Sequence, residues 1–169
     1  IIIGTLPHNK TIRYAVIDLI KYYAELIRTY WKQPTLLVND TQLGLKSEEE
    51  AQELLKNYTT ILEYNLAKRD GSAINQSVGT MINPYLGKIG VITPNKDELK
   101  FETLTGDVRF KDIRVVLNKL ENREGKPEID LITATSMISH GVDIDSLNFM
   151  IFHGMPHNTA EYVQAHSRI

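Results

Sequence analysis

The chain has no cysteine among its 169 residues. Disulfide frameworks, thiolate metal sites and cysteine nucleophiles are therefore excluded. The lack of cysteine also fits a reducing compartment, so we expect a cytoplasmic location. No apolar run approaches the roughly 20 residues that are needed to cross a bilayer, and we expect a soluble protein with no membrane partner.

The sequence has no excess of charge of either sign. Its 19 basic and 21 acidic residues give a formal net charge of −2, without the basic surplus that marks many nucleic-acid binders. From Lys126 to the end, the only basic residues are Lys126 and Arg168. If this region contacts a nucleic acid, hydroxyls, main-chain amides and helix N-termini must make the contacts.

The motifs of a self-sufficient nucleotide-binding domain are also missing. No strand pattern is followed by Gly-x-x-x-x-Gly-Lys-Ser/Thr, the phosphate cradle known as Walker A, and no acidic pair closes a strand in the manner of the Mg²⁺-holding Walker B motif. Gly-x-Gly-x-x-Gly, which marks dinucleotide binding, is absent as well. We therefore expect no ATP hydrolysis by these residues alone.

Strand patterns and helix patterns alternate along the chain. Apolar residues at three- and four-residue spacing predict helices over residues 11–31, 47–56, 72–81, 107–120 and 159–169, with a short helical turn at 136–140. β-Branched and apolar runs predict strands over 1–6, 58–64, 99–104, 129–134 and 147–152. Residues 83–95, which contain Pro84 and Pro94, are predicted to form a loop-rich crossing.

This alternation predicts an α/β fold with a mostly parallel sheet and functional loops at the carboxyl ends of the strands. We expect one domain over residues 1–169, with an N-terminal strand and helices in 1–57 and a motif-bearing core in 58–169. The sequence opens on Ile1, Ile2 and Ile3 without an initiating Met. We therefore expect it to be a piece of a larger protein.

Residues 133–144 are the segment richest in potential ligands. A predicted strand ends in Thr135 and Ser136, Gly141 allows a sharp bend, and Asp143 follows two residues later. Hydroxyls and turn amides are good phosphate ligands, whereas a carboxylate suits a ribose hydroxyl or a partner arginine. The segment therefore predicts a site that meets a sugar-phosphate chain.

Two segments carry a resemblance to superfamily 2 helicases. Residues 133–144 resemble their motif V, Ala-Thr-x-x-x-x-x-Gly-x-Asp, at Ala134, Thr135, Gly141 and Asp143. Residues 162–169 resemble their motif VI, Gln-x-x-Gly/Ser-Arg-x-Gly-Arg. The resemblance implies a RecA-like three-layer domain, the second motor domain of an ATP-dependent helicase. It also implies that Thr135 and Ser136 hold the nucleic-acid backbone, while Gly141 and Asp143 face the nucleotide ribose.

In the segment that resembles motif VI, Gln164 and Arg168 match the pattern. The resemblance implies that Gln164 lines the cleft between two motor domains and that Arg168 reaches toward the phosphates of the nucleotide. ATP with Mg²⁺ would then be bound mainly by the N-terminal RecA-like domain of the same polypeptide. Both residues are the expected catalytic contributions of this chain.

Two weaker likenesses lie upstream. Residues 61–69 resemble motif IV, a strand running into Asn65 and then a basic pair, and residues 104–108 resemble the strand-to-helix turn that follows it, with Thr105 and Gly106. By resemblance, all three residues contact nucleic acid. The residues before Thr59 have a general likeness to helicase subunits of bacterial phage-defence systems of the DISARM kind. We expect a nucleic-acid partner, with DNA a better candidate than RNA.

Two alternatives to the helicase interpretation remain at this stage. The chain could be a non-catalytic α/β module that keeps the RecA-like fold and binds nucleic acid or protein. It could also be a free-standing Rossmann-type enzyme, although the dinucleotide motif is missing. Four histidines lie in the last thirty residues, but Pro156 disrupts the helical spacing that would pair His153 with His157, and we expect no metal site.

Overall fold

The computed structural model describes residues 3–4, 7–106, 108, 110–121, 128–135, 147–155 and 158–166. The helices are α1 (Ile12–Lys32), α2 (Thr35–Val38), α3 (Glu48–Lys56), α4 (Lys68–Ser77), a π-helical turn (Val78–Ile82), α5 (Asn83–Lys88), α6 (Phe110–Glu121) and α7 (Thr159–His166). The strands are β1 (Ile61–Asn65), β2 (Phe101–Leu104), β3 (Leu131–Ala134) and β4 (Met150–His153). Within the described ranges, no helix is both long enough and apolar enough to span a bilayer.

The four strands form one fully parallel sheet in the order β2-β3-β1-β4. Each strand predicted from residue 58 onward is present and begins two or three residues later than predicted. Because all four strands run in the same direction, their carboxyl ends lie at one edge of the sheet. The predicted mostly parallel α/β architecture is confirmed.

Helices cover both faces of this sheet, giving three layers. On one face, called here the α4 face, the apolar core is built by α1, α4, the π-helical turn, α5 and alternate strand residues: Val16, Ile17, Ile20, Ala24, Ile61, Ile74, Val78, Ile82, Leu86, Leu131 and Ile151. On the other, called the α6 face, α6 packs on the intervening strand residues: Leu62, Leu104, Ile113, Val116, Leu120, Ile132 and Ala134. The two sets alternate along each strand because successive side chains point to opposite faces.

The helices α1 and α3 begin where their sequence signals place them. The Thr11 hydroxyl accepts a hydrogen bond from the Tyr14 amide, and the Ser47 hydroxyl accepts one from the Glu50 amide at 3.2 Å. Three glutamates in the first turn of α3 interact favourably with the positive end of its dipole. Both predicted helices are confirmed to within one residue at each end.

The prediction of a loop-rich crossing over residues 83–95 is wrong for residues 83–88, which form α5, whereas residues 89–95 belong to no helix or strand, as predicted. The chain from Lys68 to Lys88 is helical throughout, passing from α4 through the π-helical turn into α5. Pro84 is the second residue of α5 and directly follows the π-helical turn, so the proline lies at an irregular point of the helical winding, where a missing amide proton is tolerated better than inside a regular α-helix. The predicted entry strand is also not formed at Ile3 and Gly4, which belong to no strand.

A buried ion pair joins α1 to the amino edge of the sheet. The Arg28 guanidinium donates to Asp130 Oδ1 at 3.0 Å, and both side chains are about nine-tenths buried. Arg28 also donates to the main-chain oxygen of Asp97. The other oxygen of Asp130 accepts the Lys100 amide at 3.0 Å, so the pair holds α1 against the starts of β2 and β3.

Replacing Arg28 with Met is expected to lower the free energy of unfolding by about 3 kcal/mol, because the buried Asp130 then loses this cation while the apolar stem is kept. The matched control is Lys119→Met. It breaks the exposed pair between Lys119 and Glu102 and should cost less than about 1 kcal/mol. Urea unfolding measures both; equal losses in the two variants would contradict the prediction.

Candidate functional site

Polar side chains occupy the carboxyl half of the α4 face. Glu63 in β1 is paired in register with Thr133 in β3, and Thr133 with Thr103 in β2. Two residues further along, Asn65 at the end of β1 is in register with His153 at the end of β4. The apolar core of this face therefore gives way to polar groups as the strands approach their carboxyl edge.

Helix α4 covers these polar groups with a polar residue of its own. Asn75 Nδ2 donates to Thr103 Oγ1 and to Thr133 Oγ1, each at 2.9 Å, and the two hydroxyl oxygens are 3.3 Å apart. Asn75 Oδ1 is buried and has no hydrogen-bond partner within the described residues. The helix is thus bound to two neighbouring strands by hydrogen bonds as well as by apolar contact.

Glu63, Asn65 and His153 form a closed hydrogen-bonded cluster at the ends of β1 and β4. Glu63 is fully buried and Asn65 is 1% exposed. One carboxylate oxygen of Glu63 accepts from Asn65 Nδ2, and the other lies 3.2 Å from His153 Nδ1. His153 Nδ1 is also 3.1 Å from Asn65 Oδ1, so this ring nitrogen carries the proton when it donates to the two oxygens.

The environment of Glu63 opposes its ionisation. Burial raises the pKa of the Glu63 carboxyl above its ordinary value of 4.5. The hydrogen bonds from His153 and Asn65 act in the opposite direction, and the negative charge of Asp70 raises the pKa further. Burial is the largest of these effects.

Gly71 lets α4 approach this cluster. A Cβ atom added at Gly71 would lie 3.0 Å from Asn65 Nδ2 and 3.6 Å from Thr133 Cβ. Asn65 has no room to move away, because its amide is engaged by Glu63 and His153. The absence of a side chain at Gly71 therefore sets the spacing between the helix and the carboxyl half of the sheet.

A cleft of about 570 Å³ lies between the start of α1 and helix α4. Its lining includes Arg13, Asp70, Gln76 and His153, and Arg13 is paired with Asp70 at 3.3 Å. His153 is thus shared between the buried cluster and the cleft. Within the described ranges, no group of three or more residues is arranged to hold a metal ion.

The predicted nucleic-acid residues that the structure describes lie together at the carboxyl edge. Thr135 follows β3, and its amide donates to Leu104 O at 3.2 Å; Thr105 follows β2, and its main-chain oxygen accepts from the Val108 amide at 2.9 Å. Gly106 is exposed. Thr135 is 9% exposed and Asn65 is 1% exposed. The amide of Asn65 is turned inward to Glu63 and His153.

The other predicted site residues fall largely outside the described part of the chain. Ser136, Gly141, Asp143 and Arg168 lie outside it altogether. Gln164 belongs to α7, which is present as predicted up to His166, but its side chain is outside the described part. The short helical turn predicted at 136–140 also lies outside it.

Sequence reasoning missed the roles of Glu63, Asn75 and His153. Glu63 is a charged residue within an apolar strand pattern, and that is the signal that marks it. His153 was considered only as a metal ligand, although a histidine at the carboxyl end of a parallel strand lies where functional groups gather. Nothing in the local sequence marks Asn75.

Comparison with known proteins gives one family and several relatives. Residues 66–169 match the family described as helicase conserved C-terminal domain. The chain is 32% identical over 152 residues to the DISARM protein DrmA of Bacillus paralicheniformis. That alignment covers 85% of this chain and 13% of the relative, so the chain spans about an eighth of that protein.

Among solved structures, the chain resembles the crystal structure of the C-terminal part of the Fun30 ATPase domain. The TM-score is 0.50 at 17% identity, over 85% of this chain and 44% of the other. At this level of identity the likeness concerns the fold alone. Together with the family match and the parallel three-layer sheet, it establishes the RecA-like fold that the sequence predicted.

Replacing Gly71 with Ala is expected to lower the free energy of unfolding by about 1 kcal/mol, because overpacking against Asn65 outweighs the better helix propensity of alanine. The matched control is Gly79→Ala in the adjoining π-helical turn, where an added Cβ meets nothing within 4 Å. The control should be neutral or stabilising. A Gly71→Ala variant at least as stable as the unaltered chain in urea unfolding would contradict the prediction.

The raised pKa of Glu63 predicts a stability that falls with rising pH. Between the ordinary value of 4.5 and the raised folded-state value, the folded chain binds more protons than the unfolded chain, so the free energy of unfolding decreases through this window. Replacing Glu63 with Gln removes this contribution. Asp18, whose pKa is lowered by hydrogen bonds from Lys10 and Lys21, acts at lower pH.

Urea unfolding at a series of pH values upward from about 4.5 measures the effect. The decline in stability with pH should be smaller in Glu63→Gln than in the unaltered chain. Glu102→Gln, which changes a part-exposed carboxyl in β2, should keep the original decline. Parallel curves for the unaltered chain and Glu63→Gln would show that burial does not shift the Glu63 carboxyl.

Proposed function

This chain belongs to the family of helicase conserved C-terminal domains, and from that premise we propose that it is the second motor domain of an ATP-dependent nucleic-acid helicase or translocase. The observation that carries the proposal is the parallel sheet, whose shared carboxyl edge brings Thr135 beside Thr105 and Gly106. A chain of phosphates needs several donors spaced along one edge. Hydroxyls and main-chain amides supply them without a surplus of lysines.

In this proposal the nucleic-acid backbone contacts Thr135, Ser136, Thr105 and Gly106. Asn65 holds the turn after β1 in place through its inward hydrogen bonds. That role replaces the direct contact predicted from its sequence position. The mild acidity of the chain is compatible with this division, since the contacts are made by neutral groups.

Four residues are proposed to act at the ATP site: Gly141, Asp143, Gln164 and Arg168. ATP with Mg²⁺ supplies the chemical energy and is held mainly by an N-terminal RecA-like domain of the same polypeptide. Gly141 and Asp143 face the ribose, and Gln164 and Arg168 approach the phosphates. A guanidinium suits this task because its planar donors match phosphate oxygens. Closure of the cleft between the two domains produces movement along the nucleic acid.

We further propose that residues 1–57 and 58–169 form one domain within a larger protein. The support is that Val16, Ile17 and Ile20 of α1 share a core with Ile61 of β1 and Ile151 of β4. The likeness to DISARM protein DrmA supports a role of the parent protein in a bacterial phage-defence system of that kind. DNA is the track that such a role favours.

The parent protein should hydrolyse ATP, and residues 1–169 alone should not, because the phosphate-cradle motif is missing from them. Replacing Arg168 with Ala in the parent is expected to lower kcat by on the order of 10²-fold, since charge on the transferred phosphoryl group is then less well stabilised. Replacing Asp143 with Ala is also expected to lower ATPase activity, because the ribose hydroxyls then lose their carboxylate acceptor.

The measurement is steady-state ATPase with and without DNA. Arg114→Ala is the matched control, since Arg114 is an exposed arginine on α6 that the proposal does not use. If Arg168→Ala retained full DNA-stimulated activity, the motor assignment would be wrong. A parent without any ATPase activity would favour the alternative of a non-catalytic interaction module.

A further inference from the structure

The end of β1 is joined to the end of β4 on both faces of the sheet. On the α4 face, the carboxyl of Glu63 bonds to Asn65, the last residue of β1, and to His153, the last residue of β4. The Glu63 side chain that makes these bonds is fully buried. Buried hydrogen bonds to a carboxyl group are not exchanged for water, so they hold the two strand ends in a fixed relation.

On the α6 face, three aromatic rings continue this connection to helix α7. The ring of Tyr64 in β1 lies 5.5 Å from that of Phe152 in β4, and the ring of Phe152 lies 5.5 Å from that of Tyr162 in α7. Both distances fall within the favourable range for aromatic pairs. The path therefore runs from the strand end to the helix that carries Gln164.

The turns that follow the two strands are also in contact. Gly154, directly after His153, has a φ of +92°, and a Cβ built there would lie 3.4 Å from Leu66 Cδ1, directly after Asn65. This φ is one that residues with a side chain rarely adopt. The backbone after β4 is thus shaped to pass beside the turn after β1.

We propose that the end of β1, the end of β4 and helix α7 move as one body, and that Glu63 is the positioning residue that holds this body together through Asn65 and His153. The functional consequence of this inference rests on the proposed function. In that function the turn after β1 lies at the carboxyl edge that faces the nucleic acid, and α7 carries Gln164 of the nucleotide site. One rigid body carrying both would link the binding of nucleic acid to the placing of Gln164 and Arg168.

Two substitutions weaken the link at different points. Glu63→Gln turns one accepting oxygen into a donor, so a hydrogen bond to Asn65 or to His153 is lost. Phe152→Leu removes both ring contacts while keeping an apolar side chain. The matched controls are Glu102→Gln and Phe101→Leu, which change the same residue types on β2, at the other edge of the sheet; Phe101 is 43% exposed.

The first experiment is hydrogen exchange on residues 1–169. In Glu63→Gln and in Phe152→Leu, the amides at the end of β1 and those of Tyr162 and Val163 in α7 should exchange faster together, by about fivefold or more. The amides of α6 should be unchanged, and the controls should change neither set. Faster exchange at β1 with an unaltered α7 would overturn the proposal. If Glu63→Gln does not fold, Phe152→Leu makes the same comparison.

The second experiment is ATPase activity of the parent protein with and without poly(dT) or duplex DNA. The ratio of DNA-stimulated to basal kcat should fall about fivefold or more in Glu63→Gln and stay unaltered in Glu102→Gln. A purely structural loss would lower both rates alike and leave the ratio in place, which would contradict the proposal. A parent that lacks ATPase would overturn the proposed function alone, because hydrogen exchange still decides whether the rigid body exists.

Discussion

The parallel pairing of β1 with both β3 and β4 is the constraint from which the arrangement of the carboxyl edge follows. A central strand has neighbours on both sides and helices on both faces, and every residue of β1 is buried as a result. Glu63 and Asn65 must then satisfy their polar groups inside the protein, since a buried polar group without a partner is costly. Register provides a shared partner, because it places His153 beside Asn65, where its Nδ1 is 3.1 Å from Asn65 Oδ1 and 3.2 Å from the carboxyl of Glu63.

Coverage of the α4 face depends on residues that precede the family match. That match begins at residue 66, whereas α1 and β1 lie before it. Helix α1 supplies four apolar residues to the core of this face and, through Arg28, an ion pair to the amino edge of the sheet. Helix α4 contributes Ile74 to the same apolar core and Asn75 to the polar groups nearer the carboxyl edge.

Sequence reasoning recovered the elements whose signals are local. The apolar spacing of α1, the Ser47 cap and the strand runs all depend on neighbours within a few residues, and these elements are present. It failed at Pro84, where a residue that usually breaks a helix lies at a position that tolerates it. It also missed the cluster of Glu63 and His153, because these residues are 90 positions apart in the chain and meet only through strand order. Family resemblance predicted that Asn65 contacts nucleic acid, and only the structure showed that its amide faces inward.

The π-helical turn affects the direction in which the apolar side chains of its helix point. Ile74, Val78, Ile82 and Leu86 recur at four-residue intervals, and each is at most 1% exposed. In an uninterrupted α-helix a four-residue step overshoots a full turn by roughly 40°, so a stripe of this spacing would drift around the cylinder and leave the sheet. The wider turn at Val78–Ile82 advances less per residue and brings the stripe back. If one residue of this turn were deleted and the helix wound as an ordinary α-helix, Leu86 would follow Ile74 by eleven residues and lie roughly 20° from it around the helix axis. The π-helical turn therefore accommodates one extra residue while both flanking segments keep their apolar side chains on the sheet.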